Sequence, residues 1–134
     1  MLIEIRSRKE AFTLVEIMIV VAIIGLLAAI AVPSFMRARM RAMASGILNE
    51  ARQVDAAKDQ YALENSKTGA MSPTWDDLTP YLKAGSRLTL SGGTDLSGNA
   101  FSINTVSASI QVSASTQSNL SAATGGATFW GPYS

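Results

Sequence analysis

Cysteine and histidine are both absent from this 134-residue sequence. Their absence excludes thiolate and imidazole metal ligands, a cysteine nucleophile and a histidine base that would activate a serine. Disulfide bonds are excluded for the same reason. A chain of this length also has room for only one small domain, so the large enzyme architectures are excluded. These absences point away from an enzyme.

Charge is scarce and balanced. The sequence has 11 basic and 10 acidic residues, and five of these precede Ala11. The rest of the chain carries eight of each sign, which gives no basic surface of the kind that binds nucleic acid. Beyond Arg87 the only charged side chain is that of Asp95. We therefore expect no nucleic-acid partner.

A long apolar run covers residues 12–32, and its only strongly polar side chain is that of Glu16. A helix of this length spans roughly 30 Å, the thickness of a bilayer's hydrocarbon core. A buried helix of a soluble domain usually has a run of only about 10–14 apolar residues. The run therefore predicts a membrane-spanning helix. Glu16 needs an explanation, because an unpaired carboxylate at mid-depth costs about 2.5–3.5 kcal/mol.

Two kinds of proteolytic processing fit this run. A signal peptidase could cut after Ala31, at the small-x-small triplet 29–31, and release a soluble module. A cut between Ala11 and Phe12 would instead give Phe12 a new α-amine. Phe12 and Glu16 would then lie at i and i+4 on one helical face, where the carboxylate can pair with the amine of its own or a neighbouring subunit. Only the second cut gives the carboxylate a partner.

Residues 8–16 read Arg-Lys-Glu-Ala followed by Phe-Thr-Leu-Val-Glu. This stretch resembles the prepilin processing motif of the type IV pilin and type II secretion pseudopilin superfamily. Gly25 and Pro33 lie where that family has a helix-loosening glycine and proline. Ala11 differs from the glycine that usually precedes the cut.

The resemblance implies that a prepilin peptidase removes residues 1–11 as a leader and methylates the amine of Phe12. Residues 12–33 would form a transmembrane and filament-core helix that crosses the bacterial inner membrane once, with the C-terminal head in the periplasm. Glu16 would align each subunit on its neighbour during assembly. The implied partners are further copies of the chain, an inner-membrane assembly platform, and minor pseudopilins or pilins.

The helix is expected to kink at Pro33 and to continue over residues 34–65 as an amphipathic second half. Apolar residues there are spaced by three or four positions, which draws one stripe along the helix. The charged residues fall mostly off this stripe and predict a solvated face. The stripe is formed by Ile47, Ala51, Val54, Ala57 and Tyr61, and the charged set is Arg52, Asp55, Lys58 and Asp59.

Residues 66–134 predict a small α/β head. Breaker residues mark a loop, and Thr74 then caps a short helix with Asp76 and Asp77 in its first turn. Alternating apolar residues predict short strands of an antiparallel sheet at 87–90, 101–106 and 109–112. The predicted fold class is α+β and pilin-like: one long kinked N-terminal helix packed on a small antiparallel sheet.

Asp95, Ser97 and Asn99 alternate in a turn and form a weak candidate calcium site. Calcium takes six to eight oxygen ligands, usually with several carboxylates, and this turn offers one. Ordinary turn chemistry explains the same residues. We therefore expect no cofactor, with calcium at Asp95 as the alternative.

The absence of cysteine and the compact head make the chain similar to a major pseudopilin of type II secretion. The resemblance then implies a structural subunit of a periplasmic filament that helps to transport folded proteins. A surface type IV pilin for adhesion, twitching motility or DNA uptake is the alternative within the superfamily. A soluble secreted binding module, cut after Ala31, is the alternative outside it.

Overall fold

The computed structural model describes residues 13–134, so Ala11 and Phe12 of the predicted processing site lie outside the described residues. The chain divides into two compact units that meet in sequence between Met36 and Arg37. The helices are α1 (Leu14–Glu64), α2 (Trp75–Leu78), α3 (Arg87–Ser91) and α4 (Ala114–Thr124). Single 3₁₀ turns occur at Thr79–Tyr81, Ala127–Phe129 and Gly131–Tyr133.

The predicted long helix is confirmed, since α1 is one helix of 51 residues. It continues through Pro33, and the kink at that residue stays a prediction. In the first unit, all the large apolar side chains from Leu14 to Met36 are exposed. This part of α1 is long and apolar enough to cross a membrane, and none of its apolar window is buried.

The core of the second unit forms on the predicted stripe of α1. Ile47, Ala51 and Val54 are fully buried, and Tyr61 packs against them while remaining partly exposed. The small side chains of this stripe let other segments approach the helix closely. The rest of the chain contributes to this core Leu78, Leu88, Phe101, Ile110, Val112, Leu120 and Trp130.

Lys58 was predicted on the solvated face of the helix, and this prediction is wrong. Its side chain is only 1% exposed. The ammonium group donates to the carbonyl oxygen of Ala108 and lies 3.5 Å from Oδ1 of Asp55. A buried lysine is tolerated where its charge is paired and its protons are donated. Lys58 was assigned to the solvated face because the stripe was defined by apolar residues alone.

The predicted short helix after the loop is α2, a single turn that leads into a 3₁₀ turn containing Pro80. Thr74 precedes α2, and its backbone N–H and hydroxyl both donate to Oδ2 of Asp77, at 2.8 and 2.7 Å. The carboxylate therefore satisfies a backbone donor that would otherwise lack a partner at the helix start.

The predicted antiparallel sheet is not found in residues 13–134. This part of the chain contains two isolated antiparallel bridges, Thr94 to Ala100 and Ser102 to Gln111, and no strand. Backbone N–H groups in residues 101–112 instead donate to carbonyl oxygens in several different segments. Phe101 donates to the carbonyl of Gly93, and Val112 donates to that of Tyr133. A ladder cannot extend when neighbouring residues bond to different segments.

The strand prediction for residues 87–90 is wrong, because this segment is α3. Ser86 caps the helix by accepting from the backbone N–H of Thr89, and Gly92 ends it with φ of 66°. Leu88 is buried while Leu90 is 80% exposed. Residues i and i+2 of a helix point about 200° apart, so four alternating residues fit one helical turn as well as a strand.

Helix α4 lies in the Ser- and Thr-rich region and was not predicted. It buries Thr116, Leu120 and Thr124, which are spaced four residues apart, and Gly125 ends it with φ of 79°. Beyond α4, Trp130 is 1% exposed and anchors the C-terminal segment in the core. The ring of Phe129 stands edge-on to the Trp130 ring at 5.2 Å between centroids.

Candidate assembly site

The start of α1 is held by a reciprocal pair of hydrogen bonds between Thr13 and Glu16. The backbone N–H and hydroxyl of Thr13 donate to Oε2 of Glu16, at 2.7 and 2.9 Å. The backbone N–H of Glu16 donates back to the Thr13 hydroxyl oxygen at 3.3 Å. This arrangement is a capping box, in which two residues satisfy each other's free donors at a helix N-terminus.

The capping box gives Glu16 a partner, Thr13, that was not predicted. The predicted partner was the amine of Phe12, which lies outside the described residues. The ion pair with this amine therefore stays a prediction. Thr13 was missed, although the pattern Thr-x-x-Glu before an apolar run is a sequence signal for this cap. One carboxylate oxygen accepts both Thr13 bonds, and the other accepts no hydrogen bond from residues 13–134.

The two other predicted residues of the apolar segment are Gly25 and Pro33. A Cβ atom added at Gly25 would meet no atom of the described residues within 4 Å. Packing within the chain therefore does not require glycine at this position. Pro33 lies inside α1, where it lacks the N–H that would bond to the preceding turn. Neither side chain contributes to the capping box.

Asp95 lies far along the chain from this segment and has a structural environment of its own. It is 1% exposed, and its Oδ1 accepts from the backbone N–H groups of Ser97 and Asn99 at 2.8 and 3.0 Å. Its Oδ2 accepts from the Thr116 hydroxyl at 2.6 Å. No cluster of three or more potential ligand side chains occurs within residues 13–134. A lone carboxylate that is already engaged in this way does not fit calcium.

Comparison with known proteins identifies the N-terminal segment. Residues 6–32 match the family model described as the prokaryotic N-terminal methylation motif. Over 70 residues, 52% of this chain and 45% of the relative, the chain is 39% identical to type IV major fimbrial protein FimA of Dichelobacter nodosus. Over 61 residues, 46% of this chain and 44% of the relative, it is 37% identical to type II secretion system core protein G of Klebsiella pneumoniae.

The N-terminal half of the chain is thus similar to members of the type IV pilin and pseudopilin superfamily. A type IV major pilin protein of Neisseria gonorrhoeae is also similar, at 35% identity over 82 residues, 57% of this chain and 38% of that protein. The chain spans less than half the length of each of these three relatives. No solved structure matches it.

Members of this superfamily are structural subunits and not enzymes. The pilin-like part of the chain is α1 with its capping box and exposed apolar segment. Within this superfamily the relatives include both pilin and secretion-system proteins, so similarity alone does not choose between the two systems.

Proposed function

We propose that this chain is the subunit of a pilus-like filament that assembles through the N-terminal part of α1. In this proposal a prepilin peptidase cuts between Ala11 and Phe12 and methylates the new amine. Residues 12–33 hold the subunit in the bacterial inner membrane until it joins the filament. The head lies in the periplasm, and an inner-membrane platform adds subunits to the filament base.

The observation that supports the proposal best is the exposed apolar segment. All its large side chains from Leu14 to Met36 are exposed, although they are as apolar as a protein core. Soluble monomers rarely expose apolar patches beyond a few hundred Å², and larger ones indicate a membrane or a protein partner. A filament subunit needs both environments in turn, first lipid and then the helices of its neighbours.

Glu16 supplies the specificity that a purely apolar segment lacks. Apolar helices slide along one another at little cost, because every register buries similar area. A carboxylate in an apolar environment favours the one register in which it meets a cation. In our proposal that cation is the methylated amine of the neighbouring subunit's Phe12, and Thr13 holds the carboxylate in place.

Two filament systems fit this subunit. We propose the periplasmic pseudopilus of a type II secretion system, because the chain has no cysteine, has a compact head and is similar to core protein G. A surface type IV pilus is the second candidate, supported by the similarity to the fimbrial protein and the pilin protein. Filaments retained in the periplasm would support the first candidate, and filaments outside the cell would support the second.

The intact mass and the N-terminal peptide of the protein from its native membrane test the proposal. A chain that begins at methylated Phe12 is expected. A chain that begins at Val32 would refute the proposal and make the protein a soluble export. The Glu16→Ala variant should still be cleaved and remain in the membrane as monomers, but it should form no filaments. Normal filament formation by this variant would also refute the proposal.

A further inference from the structure

Three arginines follow the apolar segment directly in sequence. They are Arg37, Arg39 and Arg41, and residues 17–49 contain no acidic side chain. Among residues 13–134 the ion pairs are those of Lys58 with Asp55 and of Arg87 with Glu50. The three guanidinium groups therefore have no carboxylate partner within the described part of the chain.

Two of these arginines line a groove in the second unit. Arg37 and Arg41 are four residues apart, so their side chains lie on the same face of α1. Together with Ala38 of α1 and Ala122 and Ala123 of α4, they line a groove of about 410 Å³. Helix α4 carries no charged residue, so the arginines alone set the charge of the groove.

Arg39 has the same charge but a different position. It lies two residues from both Arg37 and Arg41, which turns its side chain about 200° away around the helix. It does not line the groove. Arg39 is therefore a control that distinguishes binding in the groove from a general effect of positive charge.

We propose that this groove binds the phosphate of an anionic phospholipid headgroup, in the leaflet that the C-terminal end of the apolar segment reaches. Guanidinium groups donate several hydrogen bonds in a planar fork that matches a phosphate, and a pair of them can hold one phosphate from two sides. The inference rests on the membrane insertion in the proposed function, and it does not depend on filament assembly.

Position along the sequence favours a lipid over a second copy of the chain. Counted from Leu14 at 1.5 Å per residue, a helix reaches Arg37 after roughly 35 Å. A hydrocarbon core is about 30 Å thick, so basic residues at this distance fall at headgroup level. The alanine methyl groups of the groove suit the glycerol and first acyl carbons beside a phosphate.

The test uses the full chain, purified in neutral detergent and mixed with equal amounts of phosphatidylglycerol and phosphatidylcholine. Native mass spectrometry measures how much of each lipid stays bound. We expect a preference for phosphatidylglycerol that falls about fivefold in Arg37→Gln and in Arg41→Gln, and further in the double variant. Arg39→Gln, with the same change in charge, should keep the preference of the parent chain.

Four outcomes would overturn the inference. The parent chain could show no preference, or Arg39→Gln could lose it as strongly as Arg41→Gln, which would indicate general electrostatics. Inorganic phosphate could displace phosphatidylglycerol at equal concentration, which would make free phosphate the ligand. The double variant could keep the lipid preference yet fail to form filaments, which would make the groove a subunit contact. Failure of the filament proposal looks different: the parent chain would form no filaments but would keep the preference.

Discussion

Arg87 of α3 donates from Nε to Oε1 of Glu50 in α1 at 2.7 Å. The same guanidinium donates to the carbonyl oxygens of Thr94 and Asp95, at 2.8 and 3.1 Å. Glu50 is 8% exposed, and its Oε2 has no hydrogen-bond partner within the described residues. One side chain thus ties α1 to α3 and to the turn that follows α3.

Replacing Arg87 by methionine should destabilise the head by about 2 kcal/mol, because it leaves a nearly buried carboxylate without its cation. We place the loss below that of a fully buried pair because 40% of the Arg87 side chain is exposed to solvent. The measurement is chemical unfolding of the full chain in neutral detergent, followed by the fluorescence of its two tryptophans, buried Trp130 and partly buried Trp75.

Lys83→Met is the matched control for Arg87, because it removes one positive charge from an exposed position outside this network. It should change stability by less than about 0.5 kcal/mol. Adding Glu50→Gln to Arg87→Met should restore part of the loss, since an uncharged amide costs less to bury than an unpaired carboxylate. Equal stability of Arg87→Met and Lys83→Met would contradict this account of the pair.

Gly93→Ala should destabilise the head by about 2–4 kcal/mol, for two reasons that add. Its φ of 87° is strained for alanine, and an added Cβ would lie 2.6 Å from the Trp75 ring. Gly92→Ala is the control, since Gly92 also has a positive φ but has open space around the added atom. It should cost only about 1 kcal/mol. Similar losses for the two variants would show that contact with Trp75 is unimportant.

The loss of folding stability at acidic pH should depend on Asp77. The backbone N–H and the hydroxyl of Thr74 donate to its carboxylate and hold the pKa of Asp77 below its ordinary value. Since the folded pKa is the lower one, this stabilisation is complete above the ordinary aspartate pKa and disappears as the pH falls through the lowered pKa. Asp77→Asn should therefore lose less stability than the parent chain between about pH 5 and pH 2.

Asp76→Asn is the control for this titration, because it makes the same change in charge next to the cap without touching Thr74. The free energy of unfolding of this variant should change with acidic pH as that of the parent chain does. If Asp76→Asn and Asp77→Asn give the same curve, the effect comes from net charge and not from the cap.

The sequence predicted the elements that depend on long, regular patterns. The stripe from Ile47 to Tyr61 repeats over about four turns of α1, and apolar residues spaced in this way over that length indicate a helix. The short helix after Thr74 was also predicted, because its cap and its first-turn acids are local signals. The stripe and the cap depend on residues that are close in sequence, so both can be recognised from the sequence alone.

The head beyond Arg87 was predicted poorly because its patterns are short and its contacts are not local. Residues 87–90 alternate polar and apolar side chains, which imitates a strand, although Leu88 is buried and Leu90 is exposed on one helical turn. Helix α4 has few apolar residues, so its buried face of Thr116, Leu120 and Thr124 carried a weak signal. Caps at Ser86 and Gly125 were the signals that would have identified both helices.

The candidate site was also predicted only in part. Glu16 was selected because a carboxylate is rare in an apolar run, whereas Thr13 was considered only as part of the processing motif. The structure joins the two in a capping box, which gives Glu16 a structural role beside its proposed role in assembly. The charge of Glu16 and the helix cap can be tested separately. The charge lies on the Glu16 carboxylate, whereas the Thr13 hydroxyl contributes only to the cap.

Glu16→Gln and Thr13→Ala form the pair of variants that separates these roles. Glutamine keeps an oxygen that accepts from Thr13 but loses the charge, so this variant should insert normally and form no filaments. Thr13→Ala removes the hydroxyl but keeps the Glu16 carboxylate and the backbone N–H that donates to it. Its filament yield should stay within about twofold of the parent chain, because a helix cap contributes only about 1 kcal/mol. Sedimentation of filaments after disruption of the outer membrane, with membrane monomer measured in the same cells, gives both quantities. Assembly by Glu16→Gln together with failure of Thr13→Ala would show that Glu16 acts as a helix cap, and that the filament register has another origin.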